Sequence, residues 1–125
     1  MKLEPMAERL ESEGLGSQGD DIFINFMPAE KTGLLLRYPF GGVMIDHDLP
    51  GYRKGSFQLI ARGKDYETAL ELINQAIAAL EMEEADLTGL RVKYMRPRHD
   101  PFTFPTSVGN NVEFLVNIDV CYVIL

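Results

Sequence analysis

Cysteine is nearly absent from this sequence: Cys121 stands alone, so no disulfide can form within the chain. Its place inside an alternating apolar run marks a buried small hydrophobe in a reducing compartment. Histidine is almost as scarce, with only His47 and His99. No apolar run approaches the roughly 20 residues of a membrane-spanning helix, so no membrane partner is implied. The segment MKLEPMAERLESEG carries acids where a signal peptide would have its apolar stretch, and secretion is not indicated. Bases are outnumbered, 12 Lys and Arg against 19 Asp and Glu, for a net charge of -7. Such a chain repels phosphate, which disfavours a broad nucleic-acid-binding face. Against that background Arg53 and Lys54 in one loop, and Arg96 and Arg98 beside another, stand out as small basic clusters. Internal repeats, low-complexity tracts and interdomain linkers are also missing.

What is present is an ordinary globular composition, 46% hydrophobic over 125 residues. That fits one soluble domain spanning 1–125, able to hide roughly two-thirds of its unfolded surface. Leu3, Met6 and Leu10 recur at helical spacing within 2–13, and Gly14 and Gly16 end that helix. Ile22, Ile24 and Phe26 alternate as one face of a strand. PAEKTG then reads as a hairpin connection to a second strand over 33–38. Phe57, Leu59 and Ala61 form one side of a third strand. Asp65 is a fitting N-cap for the best helix, whose stripe is Leu70, Ile73, Ile77 and Leu80 with Ala69 and Ala76. The acidic run EMEEAD reads as the end of that helix or a turn just past it. Leu90, Val92 and Tyr94 alternate with Arg91, Lys93 and Met95 in a fourth strand. Val112 to Ile124 is apolar at every second position, with Glu113, Asn117 and Asp119 opposite, as in an antiparallel strand with one wet face. The expectation is an α+β fold: a mostly antiparallel or mixed sheet of about five strands with two helices on one face.

Two long loops interrupt this pattern. The first, 39–55, holds four glycines and two prolines, yet also Phe40, Met44, Ile45, Leu49 and Tyr52. The second, 97–111, holds Phe102 and Phe104. Loops of this length in small domains are uncommon and usually functional or disordered; the first is too apolar for plain disorder and reads as an arm or loop that packs against something.

Chemistry is harder to find. Asp46-His47-Asp48 and His99-Asp100 offer imidazole and carboxylate, a mixture that zinc accepts. Adjacent ligands splay apart on an extended backbone, however, and no helical His-x-x-x-His frame exists. Polar loop residues bonding turns or a neighbouring subunit is the simpler reading, and no metal or other cofactor is implied. Cys121 is an inert buried thiol. Ser12, Ser56 and Ser107 lack a nucleophile-elbow motif. Gly41-Gly42 and Gly51 lack a phosphate-loop fingerprint. No catalytic residue is assigned, and the chain is read as not an enzyme. The alternatives are a small-molecule or metal-binding α+β domain with His47 and His99 converging on a pocket, and a small hydrolase.

The loop PFGGVMIDHDLPGYRKG, the strand SFQLIAR, the helix opening DYETALEL, the loop RPRHDPFTFP and the closing strand FLVNIDVCYV together resemble the tail terminator proteins of long-tailed bacteriophages. That family was formerly labelled minor capsid proteins. The resemblance runs from about Leu36 to the end of the sequence. It implies a homo-oligomeric ring, typically six-fold, assembled in the host cytoplasm and located in the virion at the head-proximal end of the tail tube. Such a ring halts polymerisation of the tail tube protein and presents a surface to the head–tail connector. Phe40, Met44, Ile45, Leu49 and Tyr52 would fill pockets on a neighbour or on the tube, and Asp46, His47 and Asp48 would belong to the same subunit or tube interface. His99, Phe102 and Phe104 of the second loop would belong to that interface too, the loop aromatics being either satellite core or partner anchors. Arg53, Lys54, Arg96 and Arg98 would meet acids across the subunit boundary. An acidic lumen would let DNA pass without specific binding.

Overall fold

Two segments with sustained apolar alternation, Tyr52–Gly63 and Val112–Ile124, form the longest strands and decide the architecture. The computed structural model describes residues 1–38, 43–49, 51–103 and 111–125. In chain order their elements are α1 (Glu4–Ser12), β1 (Ile22–Ile24), β2 (Gly33–Arg37), β3 (Met44–Ile45), β4 (Tyr52–Gly63), α2 (Tyr66–Leu80), β5 (Met82–Leu87), β6 (Leu90–Pro97), β7 (Phe102–Thr103) and β8 (Val112–Ile124). Among the described residues these make one eight-stranded mixed sheet in the order β1-β2-β4-β8-β6-β5, with β3 on β4 and β7 on β8. The expected α+β class and two helices are present, but the sheet has eight strands where about five were expected.

β4 pairs with β8 along its full length, from Tyr52 opposite Val123 to Gly63 opposite Val112. Phe57, Leu59 and Ala61 of β4 and Phe114, Val116, Ile118 and Val120 of β8 share one face and are buried. Both helices pack there, α1 through Met6, Ala7 and Leu10 with its N-cap Leu3, α2 through Ala69, Ile73, Ala76 and Leu80. Leu70 and Ile77, placed in the stripe from sequence, are its half-buried flanks. Asp65 caps α2 as expected, its carboxylate accepting the Thr68 N–H at 2.8 Å. That bond holds the Asp65 carboxyl below the ordinary Asp range. The cap therefore contributes fully above the unfolded carboxylate pKa, and its contribution is lost as pH falls through the lower folded value. Thermal melts of Asp65→Ala against the wild type should show lower stability at neutral pH and a shallower fall between pH 5 and 3.

The expected hairpin between the first two strands is not formed: β1 and β2 run parallel. Asn25 takes a left-handed backbone (φ 66°), which ends β1 and leaves Phe26 exposed, not in the core. The chain then returns through 25–32 and re-enters the sheet at Gly33 beside Asp21. Gly33 sits at φ 135°, and a Cβ there would lie 2.2 Å from the Asp21 carbonyl oxygen. Gly33→Ala should cost roughly 2–4 kcal/mol in denaturant unfolding, from left-handed strain plus a clash with backbone that cannot rotate away. Within the returning segment Met27 is buried against Leu35, Ile60 and Leu115, forming a second, smaller cluster on the face away from the helices. The last strand is therefore apolar at one end on both faces, in place of one uniformly wet face.

The acidic run after α2 is a strand, not a turn. β5 pairs antiparallel with β6, and Arg91 bridges Glu84 and Asp86 at 3.5 and 3.1 Å. A charged, irregular strand suits a sheet edge, where it discourages pairing with another chain. A second departure has larger consequences. The β6–β8 register shifts between Val92 and Tyr94, a bulge at Lys93. A one-residue slip exchanges the two faces, so Met95 is buried in the core and Tyr94 turns to the open side, the reverse of the simple alternation.

Candidate interaction surface

The strand registers place one set of side chains on the face that no helix covers. Successive rows across β4, β8 and β6 read Lys54–Cys121–Tyr94, Ser56–Asp119–Arg96 and Gln58–Asn117. Arg37 of β2 lies beside Gln58 and donates to its side-chain oxygen at 2.8 Å. Arg98 follows the last row, its backbone N–H bonding the Asn117 carbonyl and its guanidinium bonding Asp119 at 2.6 Å. That carboxylate raises the Arg98 pKa by direct hydrogen bonding. Arg96 lays its guanidinium over the Tyr94 ring, 4.2 Å from the centroid, a contact that orders the arginine without neutralising it. Cys121 is buried beneath this layer as expected, and contact with its thiol raises the pKa of the Tyr52 phenol.

His99 belongs to the same face. Its Nε2 lies 3.2 Å from the Asn117 backbone N–H, and its Nδ1 lies 2.7 Å from the Asp100 carbonyl oxygen. Phe102 stacks against the imidazole at a centroid distance of 5.4 Å.

The first arm is a β-hairpin in its described part. β3 pairs with the start of β4, Met44 opposite Lys54 and Ile45 opposite Arg53, so these residues form strand and not loop. Asp46, His47, Asp48 and Leu49 make the tip: the Asp46 carboxylate accepts the Asp48 N–H, and the Tyr52 N–H reaches the Leu49 carbonyl. Gly51, at φ 86°, closes the turn and accepts a bond from the Ile124 N–H. The hairpin is thus tied to the end of β8. Phe40 and Phe104 lie outside the described residues.

The expected site residues therefore divide. Met44, Tyr52, Lys54, Arg96, Arg98, His99 and Phe102 share the open side of the sheet, and Asp46, His47, Asp48 and Leu49 sit at the hairpin's end. Arg53 points the other way, into a cleft of about 970 Å³ also lined by Glu4, Glu8, Tyr38, Ile45 and Tyr122. In that cleft the Tyr38 hydroxyl donates to the Met1 carbonyl. Burial raises the pKa values of both the Tyr38 and the Tyr122 phenols.

His47 and His99 do not converge. His99 is anchored at Asn117, whose register partner is Gln58, while His47 lies beyond Tyr52. Six residues of strand at about 3.3 Å each put roughly 20 Å between those levels. Among the described residues no group of three or more His, Cys, Asp and Glu is placed to hold a metal ion. Asn117, Asp119, Tyr94 and Arg37 were not singled out from sequence. Alternation along β8 marked the first two as wet-face residues, but their ties to His99 and Arg98 needed the register.

An open sheet face with ordered cations and aromatics, beside a hairpin with exposed apolar side chains, offers a surface suited to contact with another protein. Comparison with known families makes this specific. The bacteriophage tail terminator protein family model matches residues 9–124, and the chain belongs to that family. It is accordingly a structural protein of a phage tail. No curated protein matches the chain.

Proposed function

We propose that this chain, as a single domain over 1–125, is the subunit of a closed ring, six copies in number, that caps the tail tube. The ring stops addition of tail tube protein and offers its other side to the head–tail connector. One observation carries this reading beyond family membership. Met44, Ile45 and Leu49 are 72, 56 and 55% exposed on the projecting hairpin. Large apolar side chains gathered on a projection mark a contact surface, because isolated folding leaves them in water. Phe102 adds a further exposed ring on the open face. Phe40 and Phe104 join these arms in sequence.

In the virion the ring sits at the head-proximal end of the tube, after assembly in the host cytoplasm. DNA crosses its lumen without specific contacts, in keeping with a net charge of -7. Rim charges such as Lys54 and Arg96 would set partner choice and encounter rate more than affinity. Co-sedimentation with polymerised tail tube protein tests the reading. The chain should pellet at a low, saturating ratio of a few copies per tube, set by tube ends. Binding in proportion to tube length, or no binding, would count against it.

A further inference from the structure

Helix α2 and the centre of the open sheet face carry opposite charge. On the helix side, α2 and its caps carry Asp65, Glu67, Glu71 and Glu81, and no basic residue occurs between Lys64 and Arg91. Glu67 and Glu71 border a shallow exposed groove along α2, with Leu70, Asn74, Gln75 and Ala78. On the open sheet face Arg37, Lys54, Arg96 and Arg98 surround the polar centre of Ser56, Gln58 and Asn117. Arg98 takes Asp119, but among the described residues no carboxylate lies within ion-pair reach of Lys54, Arg96 or Arg37.

We propose that the open sheet face of one copy receives the outer face of α2 from the next copy, and that this contact builds the ring. The proposal rests on the ring reading above and names its interface. Charge selects the pairing: sheet on sheet sets bases against bases, α2 on α2 sets acids against acids, and only sheet on α2 is attractive. Such a contact joins two different patches, so it is head-to-tail and able to close into a ring. Helix on sheet is also the packing that α2 already makes with its own sheet, so the contact completes a helix–sheet–helix sandwich between copies. A polyanion fits the face less well. Asp119 lies within the basic band, and Glu83, Glu84 and Asp86 line the adjoining edge strand, where a phosphate track would need continuous positive charge.

The test is a charge swap. A sheet-reversed chain carries Lys54→Glu and Arg96→Glu, and a helix-reversed chain carries Glu67→Lys and Glu71→Lys; all four positions are exposed, and circular dichroism checks folding. Sedimentation velocity is run over a concentration series and again with tail tubes. Each reversed chain alone should assemble at least tenfold more weakly than the wild type. An equimolar mixture should regain assembly, because every contact in an alternating ring then joins opposite charges. Loss in both without recovery in the mixture overturns this contact, as does full assembly of either reversed chain. Duplex DNA binding by the wild type that only the sheet reversal removes would assign the face to a polyanion and overturn it too. A wild-type chain that stays monomeric even on tubes overturns the ring reading itself; a wild-type ring indifferent to both reversals overturns only the contact.

Discussion

Ile118→Asp should abolish folding. Ile118 is 1% exposed on β8, between Phe57 of β4 and Pro97 of β6, on the face that both helices cover. Losing the buried isoleucine costs about 2–5 kcal/mol. An unpaired carboxylate in the same place costs several kcal/mol more. Together these match the whole stability of a typical domain, about 5–15 kcal/mol. The expected result is loss of the cooperative thermal transition by circular dichroism. The neighbouring Asp119 supplies the contrast. It points to the open face, where it pairs with a half-exposed Arg98, so Asp119→Ala should cost no more than about 1 kcal/mol. Comparable losses from the two substitutions would contradict the assignment of faces.

Replacing the hairpin tip, 46–51, by a two-residue turn, together with Met44→Ser and Ile45→Ser, should produce the opposite profile. The described residues among these belong to neither buried cluster, and they are also tied to the sheet, beyond β3, by the Gly51 carbonyl bond to the Ile124 N–H at the end of β8. The thermal midpoint should move by only a few degrees, as for a loss of about 1 kcal/mol. Assembly should fall at least a hundredfold in concentration dependence, because the exposed apolar anchors are gone. A variant that loses stability and assembly in parallel would show that the hairpin is core.

The parts of the fold legible in sequence were those where one physical signal dominates. Unbroken alternation identified β8, and a capping aspartate ahead of a helical stripe identified α2. β5 was hidden because Glu83, Glu84 and Asp86 are poor strand formers; its strand state comes from pairing with β6 across the Gly89 turn. The parallel β1–β2 pair was hidden because nothing local distinguishes a hairpin from a return, and the deciding conformation is the left-handed Asn25. The bases of the open sheet face are legible in sequence, but their arrangement is not. Arg96 and Arg98 stand out in sequence as bases in an acidic chain, yet strict alternation along β6 turns Tyr94 and Arg96 into the core. Only the bulge at Lys93, set by pairing with β8, brings them beside Lys54 and Asp119 on the open face. Arg53 and Lys54, adjacent in sequence, serve opposite sides because a strand alternates.

In the role proposed for it, this chain ends tube growth by forming a ring on the tube. Electron microscopy of tail tube protein polymerised with and without the chain tests it most directly. The expected result is shorter tubes, each bearing a disc at one end, with mean length falling as the ratio of chain to tube protein rises. Unchanged tube lengths with bare ends, at concentrations where the folded chain is in excess over tube ends, would contradict it.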